Sequence, residues 1–296
     1  MSKVDEYRIG DIAVKIYRCE SPRAIVQIAH GMEEHQNRYA DFAEYLVSQG
    51  FTAVTADMRG HGSSAQKFGW FADNDGWKLL LHDQIAVRLF IGKQYPKLPV
   101  MLLAHSMGSI ISRVLLKRYS RLWSKVILTG YPNYNPAAPL GILLADIVSL
   151  IHGSDYRSET LENMSIGVFN RSINKPRTKY DWICGDEQVV NRFIDDPLCG
   201  FGFTASAYRD LFILDKMMHE THDCRNIKQT LPIMLLCGCD DPCTGGRHGR
   251  LDSLKSLHEC GFINIAHKEY PKMRHEILNE RGHEAVWSDI VQFIIM

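Results

Sequence analysis

Six short, continuous apolar runs punctuate this sequence: AIVQIAH (Ala24–His30), FTAVTAD (Phe51–Asp57), PVMLLAH (Pro99–His105), SKVILTG (Ser124–Gly130), LPIMLLCG (Leu231–Gly238) and NIAHKEY (Asn264–Tyr270). Runs of this length suit strands covered on both faces, as in a parallel sheet. Parallel neighbours need crossovers, and the intervening segments supply helical patterns. RYADFAEYLVSQG sets Tyr39, Phe42, Tyr45 and Leu46 on one face and ends at Gly50, where a helix C-terminus favours glycine. WKLLLHDQIAVRLFIGKQY places Trp77, Leu81, Ile85 and Leu89 at four-residue steps, which lines one helical face. SIISRVLLKRY and HEAVWSDIVQFII extend the pattern. Strand and helix in turn predict an α/β fold with right-handed crossovers.

The alternation stops at about Pro132 and resumes after Glu220. That stretch holds helical or irregular pieces and no convincing buried strand. Structureless loops of about 90 residues are uncommon in compact domains. Residues 131–220 are therefore expected to form a mainly helical cap, inserted into a core of residues 1–130 and 221–296. Within it PLGILLADIVSLI (Pro139–Ile151) is mostly apolar. It could line a pocket, touch a lipid surface or pack on the core.

Charge and composition remove several function classes. Lys+Arg and Asp+Glu both number 34, so no basic field attracts nucleic acid. No apolar stretch reaches the roughly 18–20 residues of a membrane span. The opening residues lack the apolar core of a signal peptide. A cytoplasmic location is expected, and with it eight reduced cysteines. Cys237, Cys239 and Cys243 precede His248, but the C-x-C-x3-C spacing does not fit the usual zinc pairing. No metal is expected.

LLAHSMGS (Leu102–Ser109) carries the chemistry. An apolar strand, a serine between small residues and a helical pattern make the nucleophile elbow, G-x-S-x-G. The tight turn exposes the Ser106 hydroxyl, and the flanking positions must be small because strand and helix nearly touch. Here they are Ala104 and Gly108, with alanine in place of the first glycine. A serine hydroxyl needs a base, and the base an orienting carboxylate. On this fold they follow in the order Ser, Asp, His. GCDDP offers Asp240 and Asp241; Asp241 precedes Pro242, which favours an extended or turn conformation, and is preferred. YPKMRHEILNE offers His275 in a loop, whereas His267 lies inside an expected strand and His283 opens the last helix. An oxyanion needs two N–H donors. Met107 supplies one, and the turn His30-Gly31 presents the other, from Met32. DMRGHGSS (Asp57–Ser64) is read as scaffolding beside the site, since His61 precedes the serine.

AHGMEEHQNRY, DMRGHGSS, LLAHSMGS, GCDDP and YPKMRHEILNE, in this order from Ile25 to Glu280, resemble the α/β-hydrolase superfamily. More narrowly, the chain resembles its monoacylglycerol lipase and lysophospholipase group, also described as serine aminopeptidase-like. DDPLCGF (Asp195–Phe201) is similar to the end of the cap in bacterial members. The resemblance implies an eight-stranded, mostly parallel sheet, a cap over the site and hydrolysis of carboxylic esters without a cofactor. It implies Ser106 as nucleophile, His275 as base and acid, Asp241 as its orienter, and Met32 and Met107 as backbone donors. The expected substrate is a single-chain lipid ester such as a monoacylglycerol or lysophospholipid. The alternatives are an aminopeptidase-type amide hydrolase, which needs carboxylates near the site, and a non-catalytic ligand-binding protein of this fold.

Overall fold

A computed structural model describes residues 2–296. Eight strands form one sheet: β1 (Lys3–Ile9), β2 (Ile12–Arg18), β3 (Ala24–Ala29), β4 (Phe51–Ala56), β5 (Val100–His105), β6 (Lys125–Thr129), β7 (Ile233–Gly238) and β8 (Ile265–Tyr270). Their order is β1-β2-β4-β3-β5-β6-β7-β8. The pairs β1/β2 and β2/β4 are antiparallel, and every other pair is parallel. All six apolar runs are strands. The sequence reading missed β1 and β2 as elements. β1 lies at the sheet edge and alternates between exposed and half-buried, so its charged residues mask it. Gly10, at φ 58°, makes the hairpin turn.

Nine α-helices complete the described residues: α1 (Ala40–Ser48), α2 (Gly76–Gln94), α3 (Met107–Tyr119), α4 (Ala138–His152), α5 (Glu159–Glu162), α6 (Glu187–Asp195), α7 (Ala205–His219), α8 (Gly246–Glu259) and α9 (His283–Ile295). Side chains of α1 and α9 cover one sheet face, as Phe42, Leu46, Val286 and Ile290 share a core with Val26, Leu103 and Ile127. Helices α2, α3 and α8 cover the other with Val87, Ile111 and Leu257. The face expected for α2 is corrected. Leu80, Gln84, Val87 and Ile91 are buried, whereas Trp77, Leu81 and Ile85 are half-buried and Leu89 is exposed. A buried polar relay draws Gln84 inward: Trp123 Nε1 donates to Gln27 Oε1, and Gln27 Nε2 donates to Gln84. Counting apolar residues alone misplaces such a face.

Between β6 and β7 the chain carries α4 to α7 and no strand. Helix α4 turns a face of small residues, Ala138, Gly141 and Ala145, onto α7. A Cβ on Gly141 would stand 2.7 Å from the Phe212 ring. Helix α7 also packs on α2 and α3. No helix among the described residues is long and apolar enough to cross a membrane. The expectation of eight reduced thiols is corrected at one pair. Cys224, after α7, and Cys260, at the end of α8, form a disulfide with Cα atoms 5.4 Å apart. Their separation of 36 residues gives no local signal; packing of the two segments brings them together. The other six cysteines are free.

Candidate active site

The C-terminal ends of β3, β5, β7 and β8 converge on one cavity, as open parallel sheets favour. After β5 the chain turns through Ser106 at φ 50° and ψ −118°, a strained conformation for a residue with a side chain. The Ser106 N–H donates to Thr129 O on β6, which anchors the turn. A Cβ on Gly108 would lie 2.5 Å from Ala29 O, so α3 can start this close to β3 only with glycine there. Ala104 is fully buried between Ala29 and Leu128, and its methyl fits.

Three sequence-selected residues meet. The Ser106 hydroxyl lies 2.8 Å from His275 Nε2, and His275 Nδ1 lies 3.0 Å from Asp241 Oδ2. The Cys243 N–H donates to Asp241 Oδ1 and holds that carboxylate in place. Asp240 is exposed, one residue short of this position. His267 instead pairs with the Tyr131 hydroxyl, and His283 with Glu280 O at the start of α9. Burial alone would lower the His275 pKa, but the adjacent Asp241 carboxylate outweighs it and the net shift is upward. His105 and Trp182 pack against the imidazole, with ring centroids 4.7 and 4.9 Å away. Burial and the neighbouring His275 push His105 down to about 4, which keeps it neutral.

Met32 and Met107 line the same cavity as Ser106, and neither backbone N–H donates to a protein acceptor among the described residues. The turn that carries Met32 is braced from three directions. His30 Nδ1 donates to Gly31 O, and its Nε2 accepts from the Met58 N–H. His61 Nε2 accepts from the Glu33 N–H, while its Nδ1 donates to Arg59 O. Glu34 accepts from the Gly31 N–H and the Tyr39 hydroxyl. Gly31 is required by close approach, since a Cβ would stand 3.1 Å from that of Ser106. His61 therefore sits beside the site as scaffolding, and burial pulls it down to about 3.

Sequence reasoning missed the ion network behind this turn. Arg38 Nη1 donates to Glu34 at 2.7 Å, and both Arg38 terminal nitrogens donate to Glu276 at 2.6 and 2.7 Å. Burial would raise the Glu34 pKa, but Arg38 and the nearby histidines hold it at about 2. Glu276 follows His275, so the network ties the Met32 turn to the histidine loop. The i, i+4 spacing of Glu34 and Arg38 was the available signal; the partner 238 residues along was not.

The cavity measures about 320 Å³, within the range of small-molecule sites. Ile110, Ile166, Val168, Phe169, Leu211 and Phe212 make much of its wall. Helix α4 contributes none of the lining. Two groups of three potential metal ligands occur, His35 with Asp196 and Cys199, and Asp241 with Cys243 and His275. In each the histidine already pairs with the carboxylate.

Comparison with known proteins gives a consistent picture. Residues 20–282 match the model of the family described as serine aminopeptidase, S33. The chain is 26 % identical to a monoacylglycerol lipase of Mycolicibacterium smegmatis over 278 residues, covering 93 % of this chain and 89 % of that protein. It is 25 % identical to the monoglyceride lipase of Rattus norvegicus over 272 residues, covering 88 % and 81 %. A thermostable carboxyl esterase from Bacillus coagulans superposes with a TM-score of 0.88 at 26 % identity, over 99 % of this chain and 98 % of that one.

Proposed function

The chain belongs to the serine aminopeptidase S33 family of the α/β-hydrolase superfamily, and on that premise we propose that it is a serine carboxylic-ester hydrolase whose triad is Ser106, His275 and Asp241. The observation that carries this reading is the chain of two hydrogen bonds from Asp241 through His275 to Ser106, at the edge of a mostly apolar cavity. Ser106 Oγ attacks the ester carbonyl carbon while His275 Nε2 takes its proton. The carbonyl oxygen becomes an oxyanion, held by the Met32 and Met107 N–H groups. Collapse breaks the carbon–oxygen bond to the alcohol, which leaves with the proton from His275. Water then attacks the acyl-enzyme by the same route, releasing the acid and restoring the serine. Asp241 stays ionised throughout and holds the imidazole in its tautomer.

The related lipases support a single-chain lipid ester, such as a monoacylglycerol or lysophospholipid, as substrate. Residues 131–220 act as the cap over the cavity, and the exposed apolar face of α4 touches the lipid surface from which substrate is drawn. An aminopeptidase would need ionised, free carboxylates beside the oxyanion turn; Glu34 is committed to Arg38, and Glu33, which lines the cavity without a partner, is pushed up to about 7 by burial.

A fluorophosphonate probe should label the folded protein at Ser106. Ser106→Ala should lower ester hydrolysis by at least about a thousandfold. Retained turnover, or labelling elsewhere only, would overturn the assignment.

A further inference from the structure

The cavity wall carries several polar side chains that the reaction does not use, Glu33 and Asp215 among them. Asp215, on α7, lines the cavity with its neighbours Leu211 and Phe212, and is 6 % exposed. Its Oδ2 accepts the Asn135 N–H at 3.0 Å, which fastens the loop after β6 to α7. Its Oδ1 accepts no hydrogen bond from any described residue, nor is it sealed off from the cavity. Structural bracing explains one oxygen and leaves the other over.

The surroundings say what that oxygen can take. Burial pushes the Asp215 carboxyl up to about 7, and the Asn135 N–H and Arg113, buried on α3, pull it back only in part. The Arg113 terminal nitrogens point elsewhere: Nη1 donates to Pro132 O at 3.1 Å and Nη2 to Ser256 Oγ at 2.9 Å, while Nε has no partner among the described residues and makes no hydrogen bond to Asp215. Arg113 therefore offsets the charge of Asp215 only in part and does not fill its acceptor. A second cation brought there would face that guanidinium in a poorly solvated site. A neutral donor would not. Cys243, the other titratable group of the cavity wall facing Asp215, is held as a neutral thiol by burial. Leu211 and Phe212, one turn earlier on α7, line the cavity beside Asp215, so a substrate chain lying along them brings a hydroxyl to it on a hydrocarbon stretch. Leaving a buried acceptor unmatched is costly, so a donor that meets it is favoured.

We infer that Asp215 is a specificity-determining residue, whose free carboxyl oxygen accepts a hydrogen bond from a hydroxyl carried on the hydrocarbon chain of the ester. The substrate class is thereby narrowed from plain to hydroxylated acyl esters. This inference rests on the ester-hydrolase reading above and deepens it.

The test is a series of medium-chain p-nitrophenyl esters bearing a hydroxyl at successive carbons, with plain and amino-substituted chains of equal length. In the wild-type protein at pH 8.5, where the Asp215 carboxyl is ionised, a hydroxyl at one position should raise kcat/KM over the plain ester by at least about tenfold. Asp215→Asn keeps a carbonyl for the Asn135 N–H and turns an amide donor toward the cavity, so the ratio should fall to about one or below. The wild-type ratio needs no variant and stands even if the variant folds poorly. A wild-type ratio near one at every position, a preference surviving in Asp215→Asn, or an amino ester preferred over the hydroxy ester would each overturn the inference. Ser106→Ala separates the two readings. If it remains active the ester-hydrolase mechanism fails; if it is inactive and no hydroxyl preference exists, only the role of Asp215 fails.

Discussion

At the residue scale, the site is a set of strained or buried groups held by opposing forces. His275 is fully enclosed, and burial disfavours its charged form; Asp241 more than compensates. The base must be neutral to accept the serine proton, so kcat/KM should fall with decreasing pH through an apparent pKa above about 6.5. Asp241→Asn removes the compensation and leaves burial. The acid limb should move below about 6.5, and kcat should drop by about 10⁴-fold. A pH–rate profile with an unmoved acid limb would contradict the pairing. The residue pattern S-M-G points to Ser106 as the proposed nucleophile, and Gly108 and Gly31 leave room for its turn where any side chain would collide.

At the element scale, helix α4 illustrates how one amphipathic segment can mislead. Its sequence is apolar nearly throughout and leaves three readings open: lining the pocket, touching a lipid surface or packing on the core. The helix buries its smallest residues against α7 and turns its largest outward. Leu140, Leu143, Ile147, Leu150 and Ile151 are exposed, Leu150 at 87 %. A close helix crossing demands small residues, and Phe212 against Gly141 shows how close it is. A contiguous apolar stripe left in water marks a contact surface. Burying one such side chain in lipid contributes about 1.5–3 kcal/mol. Leu143→Asp or Leu150→Asp should thus weaken sedimentation with phosphatidylcholine vesicles by about tenfold or more. Binding equal to wild type would remove α4 from the lipid-facing surface. The same scale explains the missed edge strand β1. β3, β4 and β5 are buried along their whole length and read as apolar runs, while β1 is exposed at every second residue.

At the scale of the whole molecule, buried titratable groups set the response to pH. Glu33 follows the Met32 turn at φ 54°, and neither of its carboxyl oxygens has a partner. Burial pushes it up to about 7, and does the same to Asp210 and Asp215. A carboxyl that holds its proton more tightly when folded makes the unfolded state bind fewer protons between the two pKa values. Stability contributed by such a group falls as pH rises from about 4.5 to 7. His61 and His105 act oppositely: kept neutral by burial, they destabilise the fold as pH falls below about 6.5. Glu33→Gln removes one opposing term. It should stabilise the protein by about 3 kcal/mol at pH 8 and by little at pH 4.5. Urea unfolding at both pH values tests this, and a pH-independent difference would refute it.

The sequence by itself determined the strand and helix alternation and pointed to the elbow and to Ser106, Asp241 and His275, which the fold brings within hydrogen-bond distance. Those signals are local: unbroken apolar runs, small residues at a tight turn, and loop positions after strands. Tertiary structure alone decided the buried face of α2, the outward stripe of α4, the Cys224–Cys260 pairing, the Glu34–Arg38–Glu276 network and the spare oxygen of Asp215. Each depends on which segments pack together and on which polar groups that packing leaves satisfied. Such matching joins residues far apart in the chain, and no local pattern encodes it.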